Sequence, residues 1–104
     1  MTVTRERLPD RRLSETFEIE SQGLRFTVTA SRYADGGLAE VFLWNHKAGS
    51  MAGINAQDAA VVASIALQHG VPLDVIRKAL MRDSQGRASG PLGTALDLIV
   101  ERDS

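Results

Sequence analysis

The apolar residues of this chain change their spacing near residue 50, and that change limits the folds open to it. Before that point the period is two: Phe17 and Ile19 alternate with Glu18 and Glu20, and Leu24, Phe26, Val28 and Ala30 alternate with Arg25, Thr27 and Thr29. A period of two belongs to strands with one buried face, and Ser21-Gln22-Gly23 between the two runs makes them a β-hairpin. Asp35-Gly36 supplies a second turn, and Leu38 to Trp44 reads as a third strand. Its Val41, Phe42, Leu43 and Trp44 put apolar side chains on both faces. Such a strand sits centrally or keeps one face against a partner.

Beyond residue 50 the period is that of a helix. Asn55 is a good N-cap, with Asp58 three positions on, and Gly70 is a good stop, which predicts a helix over about Ala56–His69. Its "AAVVASIAL" stretch has one polar residue, Ser64. The helix should therefore be covered on most sides, by the sheet and by another helix or a second subunit. Pro72 falls at a first-turn position of a second helix with Leu73, Ile76 and Leu80 inward, accompanied by Val75 and Ala79. Asp74, Arg77 and Lys78 point outward in that reading. After the break at "RDSQGRASG", Pro91 opens a third segment in which Leu92, Ala95, Leu96 and Ile99 recur at helical spacing.

Strands followed by helices give an α+β fold: a three-stranded antiparallel sheet from the N-terminal half, packed by two or three helices from the C-terminal half. At 104 residues the length fits one domain with one core. Residues 1–15 read as a flexible basic arm carrying Arg5, Arg7, Arg11 and Arg12, and residues 16–104 as the single domain.

Composition excludes several classes of function. Twelve Lys and Arg against 13 Asp and Glu leave a net charge of −1, so no global field draws in nucleic acid or an anionic membrane. With no cysteine the chain carries no disulfide, thiolate metal site or thiol redox chemistry. The first residues lack the apolar centre of a signal peptide, and no run approaches the ~20 apolar residues of a membrane span. The expected location is the cytoplasm.

Two stretches are candidates for anion binding. In "HKAGS", Lys47 adds charge and Gly49 and Ser50 precede a helix start, so backbone N–H groups can approach a phosphate. Lys47 precedes the glycines instead of following them, unlike a P-loop, and the alternative is a plain strand-to-helix connection. In "GRASGPLG", Arg87 stands beside another helix start, where Pro91 removes one donor. His46 and His69 have no third ligand nearby, so no metal site is expected. Asp35 and Glu40 resemble a carboxylate pair, but a turn explains Asp35, and Glu40 suits the solvent side of its strand. Ser50 and Ser64 lack the His and Asp partners of a nucleophile, and no catalytic residue is assigned. Phe42 and Trp44 suit core packing or partner contact, and Arg11 and Arg12 an acidic partner surface or a solvated tail. The arm is also suited to adding a strand to a neighbouring chain.

Taken in order, "LPDRR", "FTVTASRYADGGLAEVFL", "KAGS", "SIALQHGVPLDVIRKAL" and "SGPLGTALDLI" resemble the TSCPD domain. This is a small module found at the C-terminal end of vitamin B12-dependent ribonucleotide reductases and as short stand-alone proteins. The Thr-Ser-Cys-Pro-Asp stretch that names the family aligns with Ala88-Ser89-Gly90-Pro91-Leu92, where only Ser89 and Pro91 match. The resemblance implies an accessory or interaction module connected with ribonucleoside-diphosphate reduction, hence with deoxyribonucleotide synthesis and DNA replication. Adenosylcobalamin would then be held by a reductase domain and not by this chain. The implied partners are a reductase subunit and a second copy in a homodimer; the alternative is a small nucleotide- or phosphate-binding regulatory domain.

Overall fold

Two positive-φ residues make the first turn. Gln22 at 54° and Gly23 at 76° join β1 (Leu13–Ser21) to β2 (Leu24–Arg32) in a two-residue loop whose twist matches that of paired strands. The computed structural model describes residues 13–47 and 49–103. Arg11 and Arg12, with the rest of residues 1–12, lie outside the described residues, and β1 begins at Leu13, earlier than the alternation at Phe17 suggests. The second turn is held as its sequence implies: the Asp35 carboxylate accepts from the Gly37 N–H at 2.9 Å. It leads into β3 (Leu38–Asn45).

The three strands are antiparallel in the order β1-β2-β3, followed by α1 (Met51–Gln68), α2 (Leu73–Ala79) and α3 (Pro91–Arg102). The fold is α+β, as the change of period predicts. Register pairs Phe17 with Val28, Ile19 with Phe26, Val28 with Leu43 and Ala30 with Val41. These side chains share one face and meet Leu92, Ala95, Leu96 and Ile99 of α3 in the core. The opposite face carries Thr16, Thr27, Thr29, Phe42 and Trp44 by the same register.

Strand order removes the first of the two alternatives for the third strand, a central place in the sheet. β2 is central and β3, despite its apolar residues on both faces, is an edge strand. An edge presents unpaired backbone groups that natural sheets must cover. Here α1 covers it with side chains. The Gln57 carbonyl accepts from Leu43 N–H at 3.0 Å, Ser64 Oγ accepts from Val41 N–H at 2.9 Å, and Gln68 Nε2 donates to Ala39 O at 3.1 Å. Three polar side chains of a helix thus stand where a fourth strand would pair. Ala56, Ala60 and Ala63, all buried, lie alongside and are small enough to let the helix approach.

α1 also starts earlier than predicted. Its N-cap is Ser50, whose Oγ accepts from Gly53 N–H at 3.1 Å, and Asn55 is an interior helical residue. Both residues suit a cap, and Ser50 prevails because Asn45 of β3 already holds it in place. Within the single chain the sheet and the other helices leave part of α1 open: Val62 is 67% and Ile65 42% exposed. Pro72 is the N-cap of α2, not a first-turn residue. Arg77, expected to point outward, turns to α3, where its Nε meets Asp97 at 2.9 Å.

α3 is fixed at both ends. At its start, Gly90 is the N-cap and Pro91 occupies the first turn, and a Cβ at Gly93 would lie 2.8 Å from that of Ala88. At its end, Arg32 meets Asp103 at 2.8 Å, Arg102 meets Glu15 at 3.1 Å and stacks over Phe17 at 4.7 Å.

Candidate functional site

Asn45, the last residue of β3, organises the loop that follows. Its Nδ2 donates to Arg25 O at 3.0 Å on β2, and its Oδ1 accepts from Lys47 N–H at 2.9 Å and from Ser50 Oγ at 3.4 Å. Gly49 takes a φ of 76°, which turns the chain into α1. A Cβ at Gly53 would lie 2.9 Å from Ser50 Oγ and 3.0 Å from Asn45 Cβ, so this first helical turn is packed directly on the end of the strand. The loop's polar groups are largely engaged with one another. The Ser50 hydroxyl in particular serves the helix cap.

What remains open is an adjoining depression of about 390 Å³, lined by Trp44, Lys47, Gly49, Gly53, Ile54 and Gln57 among others. Lys47 and Gly49 are exposed there. Arg87 does not join them. It lines a different depression with Glu18, Glu20, Asp97 and Glu101 and pairs with Asp83 at 3.3 Å. Carboxylates surround it, an unfavourable setting for an anion. The two halves of the sequence-derived anion site are therefore two separate places.

The remaining candidates have structural roles. Ser89 N–H donates to Met81 O at 3.0 Å, and Ser89 O accepts from Gln22 Nε2 at 2.8 Å, so the Ala88–Leu92 stretch packs as the entry to α3. His46 Nε2 lies 3.3 Å from Glu18, and among the described residues no group of three metal-ligating side chains converges. Glu40, expected on the solvent side, is buried at 9% exposure. Asp97 receives Arg82 on both oxygens, at 2.8 and 2.9 Å, as well as Arg77. The Arg82 hydrogen bond above all, then Arg77, holds its carboxyl below the usual carboxylate value against the opposing effect of burial. Asp83 is lowered chiefly by the Arg87 backbone N–H.

The most distinctive surface is apolar. Phe42 and Trp44 stack on the outer sheet face with ring centroids 6.5 Å apart, and Trp44 is 53% exposed, so core packing is not its role. Residues Gln57, Ser64 and Gln68 mark the line where α1 touches the edge of β3. On a helical projection Ala56, Ala60 and Ala63 fall to the core side of that line, and Ile54, Val61 and Ile65 to the outer side. All three of the latter are exposed, and they extend the Phe42–Trp44 surface across the sheet edge. Sequence reading missed this continuity. The signal lay in three polar residues at i, i+7 and i+11 within an apolar helix.

The TSCPD domain model matches residues 2–101 of the chain. A vitamin B12-dependent ribonucleotide reductase of Bradyrhizobium diazoefficiens is 37% identical over 70 residues, which are 67% of this chain and 6% of that protein. That of Rhodopirellula baltica is 40% identical over 72 residues, 69% of this chain and 7% of that protein. That of Streptantibioticus cattleyicolor is 43% identical over 72 residues, 67% of this chain and 12% of that protein. The matched stretch is thus a small part of each of these relatives. No solved structure matches the chain.

Proposed function

The chain belongs to the TSCPD domain family, and from that premise we propose that it is a non-catalytic interaction module of ribonucleotide reduction that docks on a reductase chain. The observation that carries this reading is the Phe42–Trp44 pair, held out on the open sheet face with Trp44 half exposed. An exposed aromatic pair with apolar neighbours is characteristic of a contact surface and rare on a face meant for water. Two facts support the choice of partner. The relatives named vitamin B12-dependent ribonucleotide reductases carry a similar stretch within much longer chains, so the module is suited to work beside a larger body. The chain has no cysteine, so the thiols that reduce a ribonucleotide would come from that body. The proposal puts the protein in the cytoplasm with the reductase, and no described helix is long and apolar enough to cross a membrane.

The test is affinity capture from native extract with the wild-type protein and with Trp44→Glu. A reductase chain identified by mass spectrometry with the wild type and lost with the variant supports the reading. Equal recovery with both, or recovery with neither, overturns it.

A second reading is favoured by one observation: Trp44, Lys47 and Gly49 line one depression at the start of α1, placing a ring and a cation side by side for a nucleotide. Thermal shift with ATP, dATP and pyrophosphate tests it, since ligand at 100 times its Kd stabilises by ~2.7 kcal/mol. No shift at millimolar ligand removes it.

A further inference from the structure

The outward side of α1 carries a pattern that the sheet does not use. Asp58, Val62, Ile65 and His69 follow one another at spacings of four, three and four, the seam spacing of paired helices. They lie on the side of α1 away from the buried Ala56, Ala60 and Ala63. Val62 is 67% and Ile65 42% exposed, Asp58 is exposed and His69 is half-buried.

The spacing reads the same in both directions. A two-fold axis crossing the helix between residues 63 and 64 would set Val62 against Ile65 of a second copy, and Asp58 against His69 of that copy, each contact occurring twice. Asp58 is the one charged side chain of α1, so the helix has little to offer a charged partner. Its carboxylate and the imidazole that ends the helix stand at equal distances from the midpoint, an arrangement complementary to itself. We propose that α1 is the interface of a symmetric homodimer, two copies packed antiparallel along Asp58, Val62, Ile65 and His69.

The available surface agrees. Met51, Ile54, Val62, Ile65 and Val75 are all large and exposed, and together they present roughly 500 Å² of apolar side chain, at the upper range for the largest patch on a monomer. A stable interface needs about 800 Å² from each partner, which the alanines and polar ends of the seam would complete. Beside the seam runs an open groove of about 500 Å³, formed by Ala59, Val62 and Ala66 of α1 with Val75, Ile76 and Ala79 of α2. Small residues along its floor let the ridge of a facing helix settle into it.

Sedimentation velocity of the purified protein between about 2 and 200 μM tests the proposal. A species of twice 11.3 kDa is expected for the wild type, and a monomer with unchanged far-ultraviolet circular dichroism for Val62→Glu with Ile65→Glu. Asp58→Arg alone should weaken dimerisation roughly tenfold, because symmetry applies the lost attraction twice. Adding His69→Glu to Asp58→Arg should restore it. A wild-type monomer at the highest concentration overturns the proposal, as does a dimer that survives the double glutamate variant, which would put the contact elsewhere. Failure of the charge exchange to rescue overturns the antiparallel register. Ile54 and Ile65 border both this seam and the Phe42–Trp44 face, so reductase capture is read with Trp44→Glu, which leaves the seam residues Asp58, Val62, Ile65 and His69 in place, and the oligomeric state is read by sedimentation without added partner.

Discussion

Replacing Ser64 by alanine removes the group through which α1 stands in for a missing strand. The hydroxyl accepts from Val41 N–H at 2.9 Å and has Val41 O at 3.0 Å and Ala60 O at 2.9 Å as acceptors for its one hydrogen. Val41 is fully buried, so water cannot replace the lost partner. A buried N–H left unsatisfied costs about 1–3 kcal/mol. Alanine returns about half a kcal/mol through its better helix propensity. The first effect prevails, and the net loss should be about 1.5 kcal/mol, a fall in Tm of about 8 °C for a domain of this size. Urea denaturation at one fixed protein concentration measures it, the concentration being held because self-association would add to stability. Gln57→Ala provides the internal comparison: Leu43 N–H loses its acceptor at a part-buried site, where water can enter, and the loss should be nearer 1 kcal/mol. A Ser64→Ala change below about 0.5 kcal/mol, or a larger effect at Gln57, would refute the view that these side chains serve the buried edge.

Other substitutions follow from the same packing. Gly53→Ala should destabilise despite the usual helix gain of about 1 kcal/mol, because the new Cβ meets Ser50 Oγ at 2.9 Å and Asn45 Cβ at 3.0 Å; thermal denaturation should show a lower Tm, and a rise would mean that the cap yields freely. Leu96→Ala removes a fully buried side chain and should cost about 2–5 kcal/mol in urea unfolding. Asp97 has its folded pKa depressed, chiefly by Arg82. Its contribution is thus fully present above the ordinary carboxylate value near pH 4 and is lost as pH falls through the folded value. The wild type should therefore lose stability more steeply below about pH 4 than Asp97→Asn, and parallel acid profiles would contradict this.

The change of period near residue 50 was enough to give the class of fold, the order of its elements and most of the core, because strand and helix periods are written locally in side-chain polarity. Phe26, Val28, Leu96 and Ile99 are inward in the pattern and buried in the structure for the same reason: water rejects them wherever the chain goes. The turns at Gln22-Gly23 and Asp35-Gly36 were legible too, since each depends on neighbouring residues alone. Tertiary structure decided what depends on long-range pairing. Alternation cannot say which strand lies at an edge, so β3 read as equally suited to the centre. Ser64, an isolated polar residue in an apolar helix, has meaning only once Val41, 23 positions earlier, lies beside it. Two good capping residues competed for the start of α1, and the contact of Ser50 with Asn45 chose between them. Trp44 and Val62 are apolar in the sequence and exposed in the fold, because one sheet and three helices have too few faces to cover every apolar side on both of those elements.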